Sequence, residues 1–179
     1  DVTLTTTDSN VTFSSTVDGD GTARDLIIDT NGTTGTILFD GLVGNSNDLD
    51  AITITGNLDL DAAIANTTSI SVSGTSNLGA NVTTSGTQTY TGATTLSGGD
   101  RTLTGTTMNF GSTVAGGNNA LAISGNLDLD GAATGLTSLT VSGTSNLGAN
   151  VTTSGIQTFL QITIHSDDIL ALCMVYPCG

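Results

Sequence analysis

From Ile52 to Leu96 the sequence keeps two rhythms at once, and together they admit few folds. The faster has period two. Ile52, Ile54, Gly56, Leu58, Leu60, Ala62 and Ile64 take even positions, while Thr, Ser, Asn and Asp fill most odd ones. Strict alternation is extended chain with one face turned inward. The slower rhythm has period eighteen. At that offset Ile52 meets Ile70, Ile54 meets Val72, Gly56 meets Gly74, Leu60 meets Leu78 and Ile64 meets Val82. Tyr90, Gly92 and Leu96 keep the same step.

An antiparallel meander needs a hairpin signal between strands, such as Asn-Gly between apolar runs. That dipeptide occurs once, at Asn31-Gly32. A parallel β-solenoid meets both rhythms instead: each turn of about 18–20 residues holds two or three short strands, joined by glycine-assisted corners. Like residues then stack on like, about 4.8 Å apart, around a narrow core with little room for aromatics. This spacing predicts about nine turns and a rod of roughly 45 Å.

A longer repeat overlies these. ITGNLDLD at 54–61 returns as ISGNLDLD at 123–130, and SGTSNLGANVTTSG at 73–86 returns unchanged at 142–155, both sixty-nine residues on. Structural courses recur in this way, and a unique active site does not. Within the phrase, Val72, Leu78 and Val82 are expected to point inward and Asn77, Asn81 and Thr83 outward.

Composition agrees with strands. Thr supplies 36 of the 179 residues, every acid is Asp, Lys is absent, and there is a single Pro. The helix formers Glu, Lys, Arg and Met are scarce, while Thr, Val and Ile favour strands. Disordered Ser/Gly-rich chains usually carry Glu, Lys and Pro as well. The formal charge of −14, with Arg24 and Arg101 the only basic side chains besides His165, disfavours nucleic acid and anionic membranes, because both need Lys or Arg. No apolar run approaches the ~20 residues of a membrane helix, and Asp1 opens straight into the pattern without a signal peptide. The chain as given is therefore expected to be soluble, either a mature form or an excised piece.

NVTFSSTVDGDGTARDLIIDTNG (10–32) and VTTSGTQTYTGATTLSGGDRTLTG (82–105) resemble the degenerate repeats of filamentous-haemagglutinin-like bacterial exoproteins. The resemblance covers about residues 1–159 and lies in repeat texture. It implies a right-handed parallel β-helix, secretion to the bacterial surface, and a place in the shaft of a large adhesin. The N-terminal secretion domain of that family has no counterpart here.

Candidate sites are few. Asp59/Asp61 and Asp128/Asp130 fall on the outer side of LDLD and could offer Ca²⁺ clustered oxygens. The competing reading is a solvated face that supplies solubility. DGDGTARD (18–25) places Asp18, Asp20 and Asp25 in a loop, but Ala23 stands where an EF-hand needs glycine and no Glu closes it. It reads better as an insertion at a corner. SGGDRTLTG (97–105) has misplaced glycines for a calcium-binding nonapeptide. His165 lacks partners at triad spacing. Thr53/Thr55 step onto Ser71/Ser73, a mixed rank for an ice-binding face, and the five Asn-x-Thr sequons are expected by chance in such a chain.

Residues 160–179 break the repeat at Leu160 and Gln161 and hold the only His, Pro and Cys. They read as a cap over an open solenoid end or as a foreign tail, with Cys173 and Cys178 able to pair in an oxidising compartment. The expected function is a non-catalytic structural or adhesive shaft segment, facing a host cell, matrix or glycan. A subunit of a filament that self-associates end to end is the alternative. An ice-binding protein or a polysaccharide-active β-helix fits less well, because a lyase needs a strong base and would bind an anionic polymer.

Overall fold

The computed structural model describes residues 1–32 and 34–164. Among them every element is a strand, and every pairing is parallel. The elements used below are β1 (Val2–Thr5), β2 (Val11–Phe13), β3 (Leu26–Asp29), β4 (Thr36–Phe39), β5 (Leu49–Thr55), β6 (Asn57–Leu60), β7 (Ile64–Val72), β8 (Ser76–Leu78), β9 (Val82–Thr84), β10 (Gln88–Tyr90), β11 (Thr94–Leu96), β12 (Arg101–Phe110), β13 (Val114–Leu129), β14 (Ala133–Leu147), β15 (Val151–Thr153) and β16 (Gln157–Ile164). They form one continuous 16-stranded sheet wound into a β-solenoid.

The chain wraps three faces per circuit. On the first, Val2, Leu26, Ile52, Ile70, Gln88, Met108, Leu127, Ser145 and Ile162 lie one above another. The second stacks Val11, Ile37, Leu58, Ser76, Thr94, Val114, Ala133 and Val151. The third stacks Val17, Val43, Ile64, Val82, Leu103, Ile123, Val141 and Phe159. Eighteen residues are thus three faces of six, each with inward side chains two apart.

Successive members of the first column are separated by 24, 26, 18, 18, 20, 19, 18 and 17 residues, so the expected 18–20 holds for the middle of the rod. The first two circuits are longer because turn-forming Asp, Asn and Gly residues are inserted around 18–24, 31–32 and 45–48. Eight steps of 4.8 Å give about 38 Å, shorter than the 45 Å expected from a uniform turn. Pairing runs through Ile164, past the break in the repeat at Leu160.

Alternation sets the core. Ile52, Ile54, Leu58, Leu60, Ile64, Val72, Leu78 and Val82 are all buried, as the pattern predicts. Asn81 and Thr83 are exposed and Asn77 is half-buried. The phase changes where a residue enters the left-handed region. Asn66 (φ 49°) turns outward and hands the inward place to Thr67. Aromatic rings do enter the core, in pairs stacked along a column: Phe13 on Phe39 at 4.9 Å and Tyr90 on Phe110 at 5.3 Å.

One corner shows why glycine is required. Gly56, Gly74 and Gly92 form a ladder, with the Gly74 N–H donating to Gly56 O at 2.9 Å and Gly92 to Gly74 O at 3.2 Å. A Cβ on Gly74 or Gly92 would sit well inside van der Waals contact of the carbonyl below it.

Candidate functional site

The corners are closed by Asn and Asp. Just before a face begins, a side-chain oxygen accepts the backbone N–H of its equivalent one circuit on. Asp1 takes that of Asp25 at 3.2 Å, Asp25 that of Ala51 at 3.1 Å, and Asn10 that of Thr36 at 2.9 Å. Asn57 takes Thr75 at 2.9 Å, Asn81 takes Thr102 at 2.9 Å, Asp100 takes Ala120 at 2.8 Å and Asn126 takes Thr144 at 2.9 Å. A bent strand leaves such a donor without a carbonyl partner, and a short polar side chain replaces it. Much of the acidic surface is therefore structural.

The LDLD carboxylates share in this. Asp59 lies mid-face on β6, and Asn77 on β8 donates its amide to Asp59 Oδ1 at 2.8 Å. Asp128 on β13 receives the amide of Asn146 on β14 at the same distance. Asp61 and Asp130 sit exposed where β6 and β13 end, and their N–H groups donate to the carbonyls of Phe39 and Phe110. Asp18 accepts the N–H of Ser46 at 2.8 Å. Asp20 pairs with Arg24 at 3.1 Å and accepts the N–H of Thr22; these contacts, led by Arg24, hold its carboxyl below the ordinary value. Both partners are largely solvated, so the pair adds little stability. Among the described residues, no three His, Cys, Asp or Glu side chains gather at metal-binding distance. His165, Cys173 and Cys178 lie outside the described residues.

The two copies of the long repeat do not share a face. Leu58 belongs to the second column and Leu127 to the first; Val82 belongs to the third and Val151 to the second. Sixty-nine residues amount to three circuits, from Leu58 through Ser76 and Thr94 to Val114, and two further faces. Identical sequence makes identical bonds on different sides of the rod. Ser73 accepts the N–H of Gly56 at 3.2 Å and Ser142 that of Gly125 at 3.1 Å; both glycines hold wide positive φ values of 145° and 150°. The local unit is one face with its corner.

A polar group is built into the core at Gln88, fully buried on β10. Its amide donates to the carbonyls of Thr104 at 2.8 Å and Val82 at 3.2 Å, and its oxygen accepts the Tyr90 hydroxyl at 3.0 Å. Burial pushes the Tyr90 phenol far above its ordinary value. Gln157 repeats the bond to Val151 at 3.3 Å, with Phe159 in place of tyrosine. The sequence offered no sign of this network beyond polar residues at inward positions.

The outer faces differ in chemistry. On the first, Thr53, Ser71, Thr89, Asn109 and Asp128 form a mixed rank, as the Thr53/Ser71 offset implies. The third carries the fuller hydroxyl rank, Thr102–Ala122–Thr140–Thr158, beside Thr83–Thr104–Ser124. A shallow groove of about 400 Å³ runs along the second face past Asn57, Asp59, Thr75, Asn77 and Thr95. Charge is polarised along the axis. Eleven Asp and Arg24 lie within residues 1–61, against Asp100, Asp128, Asp130 and Arg101 in 62–164. Comparison with known protein families, curated proteins and solved structures gives no match to this chain.

Proposed function

We propose that this chain is a non-catalytic structural segment of an extracellular bacterial rod, of the kind that forms the shaft of filamentous-haemagglutinin-like adhesins. The supporting observation is the continuity of the inner columns from Val2 to Ile162 and from Leu4 to Ile164, rung on rung. Such a stack converts chain length into distance at about 4.8 Å per circuit and needs only neighbour contacts to stand. The carboxylates best placed for chemistry, Asp59 and Asp128, are engaged in rung-to-rung bonds. Long hydroxyl- and Asn-rich faces then remain for a host surface, matrix or glycan.

The genomic neighbourhood tests this reading. A far longer reading frame continuing the repeats beside an outer-membrane transporter gene is the expected result. A short reading frame ending at the described rod, with no transporter nearby, contradicts it. Thermal hysteresis would replace it with ice binding at the third face, and turnover of a polyuronate with a polysaccharide-active enzyme.

A further inference from the structure

We propose that the rod carries a built-in joint on its second face, where β8 and β11 part ahead of the strand pairs on either side. The proposal does not rest on the adhesin reading. Among the described residues, the hydroxyls of Thr67, Ser76, Thr94 and Ser145 are buried and meet no hydrogen-bond partner. Ser76 on β8 and Thr94 on β11 are register neighbours in the second inner column, yet they make no bond to each other. Leu58 closes that column on one side of them and Val114 on the other. Ser145 stands alone between Leu127 and Ile162. Thr67 faces Thr84, whose hydroxyl is engaged with the carbonyl of Gly86 at 2.9 Å. Among the described residues, β8 and β11 are therefore the pair that sets two unpartnered hydroxyls against each other across one rung.

A buried hydroxyl without a partner has lost its water and gained no bond, so a motion that wets it again recovers that loss. Parting β8 from β11 wets two at once. The backbone is also thin here. β8, β9, β10 and β11 have three residues each, whereas β7 before them has nine and β12 after them ten. Solvent lies close by, because the shallow groove of the second face passes Thr75, Ser76 and Asn77. In a stack held by neighbour contacts, a weak rung opens locally while the rest stands.

The remainder of the same boundary is fastened. The Gln88 amide donates to Val82 O on the preceding circuit at 3.2 Å and to Thr104 O on its own circuit at 2.8 Å. Tyr90 is fully buried over Val72 and donates its hydroxyl to Gln88. The first and third faces stay closed, and the second opens as a slit with Gln88 as its catch.

Residue-resolved hydrogen exchange of the full chain tests this. Across the joint, the Ser76 N–H donates to Ala93 O at 2.9 Å and the Ser97 N–H to Leu78 O at 3.2 Å. After correction for intrinsic rates, both should exchange about tenfold faster than the Leu58 N–H on Thr75 O and the Thr94 N–H on Thr113 O, one boundary away on the same face. The Ile70 N–H donates to Thr87 O across the same boundary on the first face and should stay as slow as those two. Ser76→Ala and Thr94→Val each remove an unpartnered hydroxyl, and each should slow exchange at Ser97 about fivefold. Thr95→Val, on the outward side of β11, should leave that rate unchanged. Equal exchange at Ser76, Ser97, Leu58 and Thr94 overturns the proposal. So does exchange at Ile70 as fast as at Ser97, or a Ser97 rate that Thr94→Val fails to slow.

Discussion

Asn77 donates its side-chain amide to Asp59 one circuit below at 2.8 Å, and sixty-nine residues on Asn146 does the same to Asp128 on a different face. The local sequence fixes the bond, while the face on which it falls is set by how many residues precede it. Asp59→Ala and Asp128→Ala should therefore destabilise the rod by similar amounts, about 0.5–1.5 kcal/mol, the net worth of one hydrogen bond. Chemical denaturation of the two variants checks this. A difference above about 1 kcal/mol would mean that the faces are not equivalent.

The glycine ladder is less forgiving. Gly74→Ala drives a methyl group into the Gly56 carbonyl and should cost about 1–3 kcal/mol, in the range of overpacked sites. Thr95→Ala, on the exposed side of β11, should stay within about 0.5 kcal/mol of the parent. Melting temperatures of the two variants measure the contrast, and equal losses would contradict the close approach at this corner.

The Gln88–Tyr90 pair predicts a dependence on pH. Burial raises the Tyr90 phenol above its ordinary 10.0, so the folded state keeps the proton that the unfolded chain gives up. This contribution is complete below pH 10 and is lost progressively as pH rises beyond it. Stability should fall above pH 10, and Tyr90→Phe should flatten that fall. The same substitution strands Gln88 Oε1 and should cost about 1–3 kcal/mol at neutral pH. Denaturation curves at pH 7 and pH 11 test both statements.

Much of this fold was legible in the sequence because stacking copies a linear pattern into space. The eighteen-residue offset of Ile52 and Ile70 became a register pair, and the inward set from Ile52 to Val82 followed from alternation. Three features were hidden for physical reasons. Inserted corners leave the apolar rhythm intact on either side, so the 24- and 26-residue circuits blurred the turn length near the start. A single left-handed residue such as Asn66 shifts the phase without changing composition. The sixty-nine-residue repeat crosses faces, which its offset alone does not reveal, because six-residue faces are interchangeable to the local sequence. The same limit applied to the acidic positions. The oxygens of Asp25 and Asp100 close corners through bonds to Ala51 and Ala120, a role that neither alternation nor composition displays.

The most direct measurement concerns the stacking itself. Thr53 and Ser71 are register neighbours on the first face with outward side chains, eighteen residues apart in sequence and about 4.8 Å apart across the sheet. Nitroxide labels at Thr53→Cys and Ser71→Cys, with Cys173→Ser and Cys178→Ser to silence the native thiols, should couple strongly. The predicted electron paramagnetic resonance spectrum is broadened by close spin–spin interaction, and it sharpens to that of single labels on unfolding. A sharp three-line spectrum in the folded protein, equal to the sum of the singly labelled chains, would contradict the parallel solenoid and with it the rod.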